Sequence, residues 1–274
     1  MTGLVTEPQL IIHGGRGSMA VSGIEYAKYG GNTTCFEIAE DPRHRTIVDA
    51  GTGLRDVEHT LNRELDHEFT ILLSHYHWDH IQGIPVFAPV WIAGNRITLH
   101  GAESSVGDIQ PTLAGVITQP WFPAAIVDSP ADISYGDYEK PIEIGSVSIT
   151  SVSLNHPQGV NGFRIEGPSR TIVIATDHES EPQADRALAE FARGADVLIH
   201  DAQYLPAEYP IRVGWGHSTW EHAVTAAERA QVDELVLTSH DPDHTDADID
   251  GIVEAAAEHF PSVVAGTEGM KIPL

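Results

Sequence analysis

One hexapeptide constrains this chain more than any other feature. His75-Tyr76-His77-Trp78-Asp79-His80 reads H-x-H-x-D-H, and it begins one residue after the apolar run Phe69-Thr70-Ile71-Leu72-Leu73 stops. A short apolar run without helical periodicity reads as a buried strand. Four groups able to bind a metal therefore sit on a loop leaving a strand end, where α/β sheets carry their sites. In extended backbone His75 and His77 point to the same side. Asp79 and His80 follow as the chain turns and can reach a second ion beside the first. Imidazole and carboxylate donors without thiolate suit Zn²⁺, Mn²⁺ or Fe²⁺.

The pattern resembles the signature of the metallo-β-lactamase fold superfamily. The resemblance implies an αββα four-layer sandwich with a two-metal site at one edge. It also implies three further ligands, each after its own strand: a later His, a bridging Asp and a final His. Val147–Leu154 alternates apolar and polar residues and ends in Asn155-His156-Pro157, so His156 is the expected third histidine of the first metal. Thr171–Ala175 is a buried strand ending in Thr176-Asp177-His178, which makes Asp177 the expected bridging carboxylate and leaves His178 as a supporting or surface residue. Leu235–Thr238 leads into Ser239-His240-Asp241-Pro242-Asp243-His244. Here the chain departs from the superfamily, whose histidine follows the strand directly, at the place of Ser239. His240 is the expected second-metal ligand, with His244, or no protein ligand, as the alternatives.

Asp196–Ile199 is a further strand, leading into His200-Asp201. The turn Val213-Gly214-Trp215-Gly216-His217-Ser218-Thr219 precedes a helix that Ser218 or Thr219 can cap. This pair of segments resembles part of tRNase Z and related phosphodiesterases. By that likeness Asp201 holds the tautomer of His217, and His217 protonates a leaving oxygen or binds a phosphate oxygen. Asp79, His217 and Asp201 are thus the expected catalytic groups. His75, His77, Asp79, His80, His156, Asp177 and His240 are the expected ligands of two divalent ions, zinc first, with manganese or iron also suited.

Strand-like runs at 9–12, 33–38, 46–49, 69–74, 97–100, 142–154, 162–166, 171–175, 196–200 and 234–238 alternate with helical stretches at 182–193, 218–231 and 246–259, which gives a layered α/β fold. Ligands spread from His75 to His240 must converge, so residues 1–274 are expected to form one domain. An aromatic and Pro-rich insertion at about 84–135 is placed to act as a lid or a homodimer surface. The Gly-rich stretch Gly14–Gly17 lacks a phosphate-loop pattern and is expected to border the site, as Asp49 is expected to support the metal loop.

Forty acidic residues against fifteen basic ones give a formal charge of −25. Nucleic-acid backbones are bound by clustered Lys and Arg, so the expected substrate is a small molecule and not a nucleic-acid polymer. The single cysteine, Cys35, excludes a disulfide framework or thiolate metal site. The sequence shows no leader pattern and no apolar run of about 20 residues, so a cytoplasmic protein without a membrane partner is expected. A water-derived nucleophile on two metals permits phosphodiester, lactone or lactam hydrolysis. The His217 segment selects a phosphodiesterase, with a cyclic nucleotide as one candidate substrate. A lactonase or esterase, or a non-catalytic metal-binding scaffold, is the alternative.

Overall fold

The computed structural model describes residues 8–39, 41–62, 64–101 and 108–274. Their fourteen strands are β1 (Gln9–Gly14), β2 (Cys35–Ala39), β3 (His44–Val48), β4 (Glu68–Leu73), β5 (Arg96–Gly101), β6 (Asp132–Gly136), β7 (Ile142–Ile144), β8 (Val147–Leu154), β9 (Val160–Glu166), β10 (Thr171–Ala175), β11 (Val197–Asp201), β12 (Glu234–Thr238), β13 (Val263–Ala265) and β14 (Lys271–Pro273). The helices are α1 (Leu54–His59), α2 (Trp78–Ile81), α3 (Ile109–Val116), α4 (Pro182–Phe191), α5 (Trp220–Ala230) and α6 (Asp246–Ala257). The strands form two seven-stranded sheets, ordered β14-β1-β2-β3-β4-β5-β6 and β13-β12-β11-β10-β9-β8-β7.

Strand alternation sorts the side chains into three apolar layers. In β4, Leu72 faces the other sheet, while Phe69, Ile71 and Leu73 face outward onto α1 and α3. In β10, Ile172 and Ile174 join Leu72, Phe36 and Phe163 between the sheets. Val173 and Ala175 face outward onto Leu188 of α4, Ala223 and Ala227 of α5, and Ile252 of α6. Helix–sheet–sheet–helix layering follows, as expected for an αββα sandwich.

The helices covering the second sheet start where their sequences supply caps. The Glu181 carboxylate accepts the N–H groups of Gln183 and Ala184 ahead of Pro182. Thr219 caps α5, and Thr245 with Asp248 forms a capping box on α6. Among the described residues, no helix is long and apolar enough to cross a membrane.

The segment expected as an insertion is woven into the first sheet. It supplies β5 and β6, both parallel to β4, and its Trp91 and Phe122 rings stack 5.8 Å apart against the outer apolar layer. This places Phe87, Trp91 and Phe122 in packing, while Trp121 stands exposed. Residues 102–107 of the segment, and residues 1–7 at the start, lie outside the described residues.

Candidate metal centre

The parallel strands β4, β10, β11 and β12 end on the same side of the sandwich, and the β8–β9 turn joins them there. The two sheets are tied at this edge: Asn161 donates its backbone N–H (3.0 Å) and its side-chain amide (3.3 Å) to the carbonyl of Ser74.

Two groups of ligand atoms converge here, each within 4.8 Å of one another: His75, His77 and His156, and His75, His80 and Asp177. A third such group joins Asp177, Asp201 and His217. Asp177 Oδ2 is central. It lies 3.2 Å from His80 Nε2, 3.8 Å from His75 Nε2, 3.9 Å from His156 Nε2 and 3.8 Å from His217 Nε2. Asp79 Oδ2 lies 3.3 Å from His80 Nε2 and accepts the backbone N–H of Ser18 (2.8 Å), which brings the Gly-rich stretch to the site border.

Neighbouring groups fix which ring nitrogen faces inward. The Asp49 carboxylate is fully buried and accepts the N–H and O–H of Ser74 (2.8 and 2.9 Å) and Nδ1–H of His80 (2.9 Å). With its proton on Asp49, the Ser74 hydroxyl accepts Nδ1–H of His75 (3.0 Å). His156 donates Nδ1–H to the carbonyl of Gly216 (2.7 Å). Each imidazole thus turns Nε2 toward Asp177, as metal-binding histidines do when their other nitrogen is engaged. The Nε2 atoms of His75 and His80 are buried without a hydrogen-bond partner. Buried polar atoms are rarely left so, and a cation between these rings and the carboxylates satisfies them. The donor set fits divalent-cation binding: His75, His77 and His156 form one group that would hold a cation and His75, His80 and Asp177 another, with Asp79 beside His80.

The protonation balance of the metal-free cluster fits the same arrangement. Burial, then the charge of His80, holds His75 well below its ordinary value. Burial also disfavours a charged His80, but Asp177, Asp79 and Asp49 outweigh it and hold this imidazole well above its ordinary value. Burial would raise Asp177, yet His80 and His217 keep it ionised far below the usual carboxylate range. A cation held by His80 and its carboxylate neighbours would take the place of the His80 proton.

His217 and Asp201 are also brought together. His217 Nδ1 donates to Asp201 Oδ2 at 2.7 Å, and Asp201 Oδ1 accepts the Ser218 N–H at 2.7 Å. Burial opposes the imidazolium, but Asp201 and then Asp177 raise His217 to about 9.

His240 is not brought to the cluster, which corrects the expectation for the loop after β12. Its backbone is laced to the Gly-rich stretch, donating to Gly15 O (2.9 Å) and accepting from Gly17 N–H (3.0 Å). Its Nε2 faces Gly266 O (3.2 Å) and its ring packs on Tyr29. Burial, then Arg16, lowers it to about 4. His244 also points elsewhere, to Glu208 at 3.2 Å. Ser239, in the left-handed region at φ 57°, faces the cluster instead, its hydroxyl 2.9 Å from that of Thr176 and 3.4 Å from Asp177 Oδ1. His178, read as a supporting or surface residue, is buried and lies 3.1 Å from Asp185. Two contributors escaped the sequence reading: Gly216, whose carbonyl holds His156, and Glu179, which binds the turn carrying Gly216. Neither belongs to a local pattern.

A sequence profile described as "Beta-lactamase superfamily domain" matches residues 44–240, from β3 through the residue after Ser239. The chain belongs to this superfamily. Among its relatives is a ribonuclease Z of Bacillus subtilis, 22% identical over 296 aligned positions that cover 88% of this chain and 92% of that protein. The metallo-β-lactamase fold protein YhfI of Bacillus subtilis superposes with a TM-score of 0.72 at 17% identity, covering 97% of this chain and 99% of the other. A diphosphatase of the PhnP family superposes with a TM-score of 0.71 at 20% identity, covering 97% and 98%. The ribonuclease Z relationship overturns the expectation that excluded nucleic-acid polymers. A net charge of −25 sums the whole surface and does not describe the mouth of a site where bound cations contribute their own positive charge.

Proposed function

We propose that this chain is a metal-dependent hydrolase that cleaves phosphodiesters, with a small phosphodiester as the substrate. The observation carrying the reading is His217, whose Nδ1 is held by Asp201 at 2.7 Å while Nε2 stands 3.8 Å from Asp177 Oδ2, at the edge of the cluster. An alkoxide leaving phosphorus gains from a proton donor, and such help is worth about 10²–10⁴ in rate.

His75, His77, His156, Asp79, His80 and Asp177 would hold the cations. Divalent ions bound there supply a nucleophile from water near neutral pH and neutralise charge on a phosphoryl oxygen. The chain's own groups do the rest. Asp201 fixes the His217 tautomer and aims Nε2 into the site, so that Nε2–H can donate to the leaving oxygen. Asp79, anchored by the Ser18 N–H, presents its carboxylate beside His80. Ser74 and Asp49 keep the His75 and His80 rings in register.

Ribonuclease Z among the relatives favours a second reading, in which the phosphodiester lies in RNA. A panel of bis-p-nitrophenyl phosphate, an alkyl phosphodiester, a cyclic nucleotide, a tRNA precursor, lactones and a β-lactam tests both. His217→Ala should slow the alkyl phosphodiester far more than the nitrophenyl ester, whose leaving group departs without a proton. Equal losses on the two would remove the acid role. Lactone turnover far above that of every phosphodiester would move the assignment to a lactonase, and no turnover by metal-loaded protein would leave a binding scaffold.

A further inference from the structure

Glu179 lies two residues beyond Asp177, and its carboxylate is buried beneath the turn that precedes α5. Three donors reach it, all from that turn. The Tyr209 O–H (3.0 Å) and Gly214 N–H (2.6 Å) bind Oε1, and the Gly216 N–H (2.8 Å) binds Oε2. Arg212 also ties this stretch down, donating to Asp241 Oδ2 at 2.9 Å, but the side chains nearest Gly214 and Gly216, those of Val213 and Trp215, stand largely exposed. At its end the turn touches the metal centre, where the Gly216 carbonyl accepts Nδ1–H of His156. Gly216 has φ 93°, and a Cβ there would run into the His156 ring, so only glycine lets the backbone approach this closely. Glu179 also grips His156 from the other side, through its neighbour. Its N–H donates to Asn155 O (2.8 Å), and the Asn155 amide donates to Glu179 O (3.0 Å).

We propose that Glu179 is a positioning residue: it clamps the 209–216 turn so that the Gly216 carbonyl fixes the tautomer and aim of His156, and thereby sets cation affinity at His75, His77 and His156. The proposal rests on the reading that these three histidines hold a cation. The chemistry calls for a carboxylate. All three partners are donors, and a carboxylate only accepts. Glutamine in its place would set an amide N–H against one of them and leave a buried donor unpaired. Released, the turn carries the Gly216 carbonyl away, and His156 is free to rotate or to place its proton on the metal-facing nitrogen. Loss of such an outer hydrogen bond weakens metal binding by about 10–100-fold.

The test is a zinc titration against a chromophoric chelator, run on wild type, Glu179→Gln and Tyr209→Phe, with circular dichroism of each chain as the measure of folding. The tighter zinc should weaken by about 10–100-fold in E179Q and by a smaller factor in Y209F, which keeps the carboxylate and loses one donor. The visible spectrum of the cobalt-loaded protein should change with E179Q, because the ring bound to the metal has moved. A folded E179Q with wild-type zinc affinity and an unchanged cobalt spectrum overturns the proposal and leaves the metal centre standing. Wild type that takes up no zinc removes the metal reading and this proposal together. Should E179Q not fold, a folded Y209F with undiminished zinc affinity overturns it.

Discussion

The charge on His217 should be visible as a pH dependence of stability, and the structure gives its size. In the metal-free chain His217 is pushed up to about 9 from an ordinary value of 6.5, because Asp201 and Asp177 outweigh its burial. A group whose folded-state pKa is raised contributes its full stability below the unfolded value and loses it as pH rises through the folded one. Between pH 6.5 and about 9 the loss is on the order of 3 kcal/mol. Other groups also respond to pH, so the informative quantity is the difference between wild type and His217→Gln in urea unfolding with chelator present. The wild-type advantage seen near pH 6 should shrink by about 3 kcal/mol near pH 9.5. An Asp201→Asn chain leaves the buried ring with Asp177 and Asp79 to charge it but without its hydrogen-bonded partner, and its imidazole resonances should titrate well below those of wild type. An advantage that stays constant across the window, or grows, would refute the electrostatic account of His217.

Two further outcomes follow from the placement of the outer groups. Asp49→Asn removes the ionised acceptor shared by Ser74 and His80, and should weaken zinc binding by about 10–100-fold in a chelator competition. His240→Ala should leave zinc stoichiometry at the wild-type level by mass spectrometry. It should cost about 1–3 kcal/mol in thermal or urea unfolding, because Gly266 O loses its buried partner.

Much of this architecture is legible in the sequence because it is written in short-range patterns. Apolar–polar alternation marks β8 and short apolar runs mark β1, β10 and β12, and the capped Ala-rich helices α4, α5 and α6 fall within two residues or so of their expected bounds. His75, His77, Asp79 and His80 are legible because they lie within six residues. His156, Asp177, Asp201 and His217 are legible because each follows a strand or precedes a cap. What stays hidden has weak local signals. β13 and β14 are three residues each, and β14 ends in a proline, so they exist by pairing with β12 and β1. α1 is six residues long, and α3 carries a proline in its first turn. Glu179 is invisible because its three partners lie at least 30 positions away and meet it only once the sandwich has formed.

The loop after β12 shows how a sequence argument fails by a single residue. A histidine displaced from position 239 to 240 lies beyond the end of β12, where the left-handed turn at Ser239 sends its ring away from the site instead of letting it miss narrowly. The left-handed backbone at Ser239 and the pairing of His240 with Gly15 and Gly17 lock that outcome. On this side Asp177 therefore meets two hydroxyls, those of Thr176 and Ser239, where an imidazole would otherwise be available. The nearest remaining imidazole outside the two cation groups is that of His217, 3.8 Å from Asp177 Oδ2. The group around Asp79, His80 and Asp177 is consequently poorer in nitrogen than the three-histidine group. A single aspartate, Asp177, is left to couple it both to the three-histidine group and to the proton-bearing ring.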